Sequence, residues 1–100
     1  MLLGESVQRL ETAWSDEDGF LFQLRMGKFD GSKAESLVAT LKDIEPGEAE
    51  PVARRAVSLL WYLPLFIGWQ QERVDQKDVK ALERVEVLVT NELERILGVP

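Results

Sequence analysis

The sequence predicts an all-α fold: a single-domain antiparallel bundle of four to five helices, with a Pro-kinked apolar helix near its centre. Three observations lead there. Apolar residues recur at three- and four-residue spacing along most of the chain. Capping and turn residues punctuate that pattern at intervals suited to helices. The strand-like runs are too few to pair with one another. At 100 residues the chain has the length of one domain, and its 45% apolar and 30% charged residues are ordinary globular values.

Leu3, Val7, Leu10 and Trp14 place one apolar stripe on a first helix over about residues 2–14. Ser15 reads as the N-cap of a second, with Asp16, Glu17 and Asp18 in its first turn, where the helix dipole favours anions. Phe20, Phe22, Leu24 and Met26 alternate as a strand would, whereas Leu21, Phe22, Leu24, Met26 and Phe29 also suit a helix. A lone strand has no partner, so a helix over 16–26, ended by Gly27, is the expectation.

Asp30-Gly31 forms a turn, and Ser32-Lys33-Ala34-Glu35 matches a capping box that opens a third helix through Ala34, Leu37, Val38, Leu41 and Ile44. Glu45-Pro46-Gly47-Glu48 closes it, because a residue before proline avoids the α region. Pro51 suits the first turn of a long helix reaching about Val74, which Pro64 should kink or split by removing a backbone donor and crowding the carbonyl of Leu60. Asp75-Gln76-Lys77-Asp78 offers the next N-cap, and Val79, Leu82, Val89, Leu93 and Ile96 carry a last helix to Leu97, closed by Gly98 and Pro100. Glu86 interrupts that apolar spacing.

Absences bound the function. With no His and no Cys there is no thiolate, no side chain that ordinarily titrates near neutrality and no N/S metal ligation. The serines lie in no G-x-S-x-G or S-x-x-K context, and no phosphate-binding glycine loop occurs. A non-enzyme without cofactor or bound metal is expected. Residues 1–5 have neither a basic nor an apolar leader region, and the apolar stretch 56–69 is shorter than the ~20 residues of a membrane span, so a cytoplasmic protein is expected.

Twelve Lys and Arg against eighteen Asp and Glu leave a net charge of −6. Residues 1–50 hold five basic and eleven acidic side chains, while residues 51–100 hold seven of each. Such a surplus repels nucleic acid and anionic membranes and attracts a basic protein. Two acidic clusters stand out, Asp16, Glu17 and Asp18, then Asp43, Glu45, Glu48 and Glu50. They could face a basic partner or hold a hard cation, or they could be solvated acids at helix ends; neither has the glycine position of an EF-hand loop. Arg54 and Arg55 could clamp an anion, though early helical arginines more often pair with acids such as Glu50. The segment from Leu59 to Trp69 is apolar on all sides. Either the other helices wrap it, or Trp61 and Trp69 remain available as anchors for a partner.

The reading that follows is a non-catalytic protein-binding protein, most concretely a small acidic inhibitor or immunity-type protein that neutralises a basic effector. Asp16, Glu17, Asp18, Asp43, Glu45, Glu48, Glu50, Trp61 and Trp69 are its expected contact residues. The alternatives are a self-associating accessory subunit whose homodimer buries residues 59–69 and, more remotely, a metal-dependent enzyme using carboxylates alone.

Overall fold

A computed structural model describes residues 1–45 and 54–99 of the chain, and among them every regular element is helical. The α-helices are α1 (Val7–Ser15), α2 (Phe20–Arg25), α3 (Gly31–Lys42), α4 (Arg54–Trp61), α5 (Leu63–Trp69) and α6 (Val79–Leu97), with 3-10 turns at Leu3–Ser6, Gln70–Glu72 and Gln76–Asp78. They enclose one apolar cluster in which Leu10, Leu21, Leu24, Leu41, Ile44, Leu60, Leu63, Ile67, Leu82 and Val89 have no exposed surface.

The expected helix over 2–14 starts as a 3-10 turn. The amide of Leu2 donates to Glu5 Oε1 at 2.8 Å, and the buried Ser6 hydroxyl donates to the carbonyl of Leu3 at 2.6 Å, so local partners hold the tighter winding. Ser15 is not a cap. It ends α1, and its hydroxyl donates back to the carbonyl of Glu11 at 2.9 Å. The chain turns at Asp16, whose backbone is extended (φ −74°, ψ 139°) and whose Oδ1 accepts the amide of Asp18 at 2.9 Å. Gly19 then caps α2. The acidic triplet therefore forms the α1–α2 turn rather than a first helical turn. Residues 20–25 are helical, since burial of Phe20, Leu21 and Leu24 follows helical spacing rather than alternation.

The Ser32 capping box gives way to Asp30. Its Oδ1 accepts from the amides of Ser32 and Lys33 (3.0 and 3.2 Å) and from the Ser32 hydroxyl (2.8 Å). The hydroxyl expected to accept at the cap thus donates to it. A carboxylate two residues earlier satisfies two orphan amides at once, so the helix starts at Gly31. At the other end α3 stops at Lys42, and Ile44 still reaches the core. The expectations resting on Pro46, Gly47 and Pro51 lie outside the described residues.

The long helix expected over 51–74 is divided: α4 ends at Trp61, Tyr62 intervenes, and α5 carries Pro64 in its first turn, where the missing amide costs no hydrogen bond. The chain then tightens into the 3-10 turn at Gln70–Glu72. Within the expected cap segment 75–78, Asp75 precedes another 3-10 turn and Asp78 takes the N-cap position of α6, neither with a side-chain cap bond; α6 runs from Val79 to Leu97 and ends at Gly98 in the left-handed region (φ 87°).

Arg95 near the end of α6 donates to the carbonyls of Leu41 and Lys42 at the end of α3 (3.0 and 3.4 Å). Ala81, Arg84 and Val85, earlier in α6, share a groove with Gly31, Ala34 and Glu35 early in α3. These two helices therefore run in the same sense, which corrects the expectation of an antiparallel arrangement for this pair.

Candidate functional site

The α4–α5 segment presents two unlike faces. Leu59, Leu60, Leu63, Phe66 and Ile67 are buried. Trp61, Leu65 and Trp69, at i, i+4 and i+8, are 53, 45 and 57% exposed. Of the two arrangements open for this stretch, wrapping on all sides is the one not seen: the neighbouring helices cover one face and leave a stripe.

Tyr62 organises the stripe from beneath. Its ring meets Trp61 edge-on at 5.3 Å and Trp69 edge-on at 5.6 Å, and lies 6.0 Å from Trp14, which in turn packs edge-on against Phe66 at 4.9 Å. Edge-to-face pairs of this kind add attraction beyond burial and hold rings in fixed orientations. The Trp14 indole donates to the carbonyl of Leu59 at 2.9 Å, occupying one of the last four carbonyls of α4. A residue of the first helix thereby fastens the α4–α5 junction.

Charge around the stripe is polar from end to end. Beside Trp61, an open cleft of about 370 Å³ is lined by Trp14, Tyr62, Leu59, Arg25 and Arg55. The Arg25 guanidinium stands 5.3 Å over the Phe66 ring, and Arg55 Nε donates to Glu11 Oε1 at 2.9 Å. Exposed Arg54 is adjacent in sequence. Beyond Trp69 the carboxylates Glu72 and Asp75 are exposed, as are Arg73 and Lys77, and Glu86, packed near Gly68, accepts from Gln71 at 2.9 Å. Arg73, also in this region, points back to the carbonyl of Arg25 at 3.4 Å.

The two acidic clusters do not combine. Asp16, Glu17 and Asp18 are exposed in the α1–α2 turn, with Asp18 4.0 Å from Lys33 at the start of α3. Asp43 and Glu45 follow the end of α3: the amino terminus donates to the carbonyl of Asp43 at 2.8 Å and lies 3.8 Å from Glu45 Oε1. The 12 residues of α3, about 18 Å of helix, separate the two sets. Glu48 and Glu50 lie outside the described residues. Among the described residues no three acidic side chains converge as metal ligands. Asp30 has its carboxyl held below the ordinary value, chiefly by the Ser32 hydroxyl and then by the Lys33 amide, and that serves α3.

Sequence reasoning pointed to Trp61 and Trp69 and missed Leu65, Tyr62 and Trp14 as members of the same feature. A signal for the face existed: Ser58 and Glu72 bracket residues 61, 65 and 69 at helical spacing and mark where apolar surface meets solvent. A second groove, of about 460 Å³ between α3 and α6, is lined mainly by Phe29, Ala34, Val38, Val85 and Leu88. No helix among the described residues is long and apolar enough to cross a membrane. The chain matches no protein-family model, no curated protein and no solved structure.

Proposed function

We propose that this chain is a non-catalytic protein that acts by binding another protein, with Trp61, Leu65 and Trp69 as its anchor. The observation that carries the reading is the exposure of two tryptophans and a leucine on one line, their rings oriented by a buried-side tyrosine. Large aromatic side chains on a rigid support supply most of the energy at protein interfaces, because they bury much area and lose little conformational freedom. The stripe crosses the α4–α5 junction, which we read as one helix bent at Pro64 so that both tryptophans meet a single surface. In its most concrete form the protein is an inhibitor or immunity-type partner of a basic effector, with Asp16, Glu17 and Asp18 supplying three exposed carboxylates in one turn.

The test is capture from the native cell by the immobilised chain, run beside Trp61→Ala/Trp69→Ala and Asp16→Lys/Glu17→Lys/Asp18→Lys chains of verified fold. A partner held stoichiometrically by the parent and lost with the double alanine change supports the anchor. Additional loss or slower association with the lysine changes supports a basic effector. Equal retention by parent and double alanine variant removes the stripe from the interface.

A further inference from the structure

The charges flanking the stripe identify a particular occupant. Among the described residues the Trp61 end carries Arg25, Arg54 and Arg55 against Glu11, a cationic surplus, and the Trp69 end carries Glu72, Asp75 and Glu86 against Arg73 and Lys77, an anionic surplus of one. Leu65 stands midway, four residues from each tryptophan. An apolar line with a positive end and a negative end complements itself when turned through a two-fold axis. Side by side in the same sense, like charges would meet.

We propose that the stripe is the contact face of a symmetric homodimer, in which two copies lay α4–α5 antiparallel with Leu65 near the axis and Trp61 of each copy against Trp69 of the other. This rests on the reading of the stripe as a contact surface and names a second copy as what covers it when no foreign partner is bound. In that register Arg55 comes opposite Asp75 and Ser58 opposite Glu72, so each pole meets its complement. An isologous contact of this kind closes on itself and leaves no free apolar end for further growth.

Area bounds the size of the contact. Side chains of this size bury about 150–250 Å² each when fully covered. With roughly half of that surface already covered, the stripe supplies about 300 Å² per copy, against the roughly 800 Å² per partner of a standard stable interface. The stripe is therefore the centre of a modest interface, one in which dimer exchanges with monomer.

Sedimentation equilibrium of the full chain between about 10 µM and 1 mM tests this. The parent should pass from monomer to dimer, and Leu65→Glu, a change at a half-exposed position, should remain monomeric with unchanged helical circular dichroism. Two charge variants go further. Arg54→Glu/Arg55→Glu makes both poles negative and Glu72→Arg/Asp75→Arg makes both positive; each alone should dimerise at least tenfold more weakly than the parent, and an equimolar mixture should recover a heterodimer that Leu65→Glu in either chain abolishes. A parent that is monomeric at 1 mM, a dimer indifferent to Leu65→Glu, or a mixture that fails to associate would each overturn the proposal. A monomeric parent that still loses a captured foreign partner on Trp61→Ala/Trp69→Ala overturns the homodimer and leaves the binding function standing.

Discussion

Gly19→Ala should destabilise the protein strongly, although its backbone conformation gives no hint of this. Gly19 caps α2 at φ −71° and ψ 146°, values that any residue adopts, and on that basis alone alanine would stabilise by about 0.4–1 kcal/mol by restricting the unfolded chain. The obstacle is space. A Cβ at Gly19 would lie 2.4 Å from the carbonyl oxygen of Thr12 and 2.6 Å from that of Ala13, both backbone atoms of α1 that cannot rotate away. Restoring ordinary contact requires α2 to retreat from α1 by about 1 Å, which loosens Phe20, Leu21 and Leu24 in the core. Overpacking of this kind costs about 1–3 kcal/mol, and partial loss of apolar contact brings the expected total to about 2–4 kcal/mol. With a urea dependence of about 1–2 kcal/mol per molar for a chain of this size, the unfolding midpoint should fall by roughly 1–4 M. Gly31→Ala and Gly4→Ala are the controls: the first meets only Phe29 Cε1 at 3.9 Å and the second meets nothing within 4 Å. Both should hold or raise the midpoint. A Gly19→Ala midpoint equal to or above the parent's would show that the α1–α2 turn is not packed as described.

Substitutions at two further positions probe the capping and junction contacts. Asp30→Ala should lower the melting temperature by a few degrees through loss of the α3 cap, while Asp30→Asn should keep most of it, because asparagine also caps. The folded-state acidity of Asp30 is the stronger one, so its stabilising contribution is present at neutral pH and is lost as pH falls below the ordinary carboxylate value of 3.8; thermal melts of Asp30→Asn should lack that part of the acid limb. Trp14→Phe keeps an aromatic ring against Tyr62 and Phe66 but deletes the indole donor to Leu59, and urea titration should report a loss of about 1 kcal/mol. An unchanged midpoint would mean that the Leu59 carbonyl finds another donor.

What could be read in the sequence was what periodicity controls. The helical character of residues 20–25, the final helix to Leu97 and its stop at Gly98 all follow from spacing and one glycine. Errors fell on the caps, where several polar residues compete and the winner depends on geometry. Ser15 and Ser32 both match N-cap chemistry, yet Ser15 back-bonds to Glu11 and Ser32 donates to Asp30. The relative direction of α3 and α6 was illegible for a different reason: the Arg95 contact that reveals it spans more than fifty residues, and no local pattern encodes it. Glu86 shows the opposite case. Its break in the apolar spacing of α6 is a polar partner for Gln71 at the edge of the core.

The same distinction governs the site. A run such as Leu59–Trp69 reads as apolar all round because sequence reports composition, whereas exposure depends on how many elements reach each face. In this fold α1 and α6 pack against α4 and α5 from the inner side, and Trp14 occupies the junction, so no described element covers Trp61, Leu65 and Trp69. Charge follows a parallel course. The surplus of acid belongs to residues 1–50, but α3 holds its two described clusters at opposite ends, and the cleft beside Trp61 is bordered by Arg25 and Arg55. The charge that a surface on the stripe would meet is therefore local, set by the side chains around the tryptophans and not by the net charge of −6.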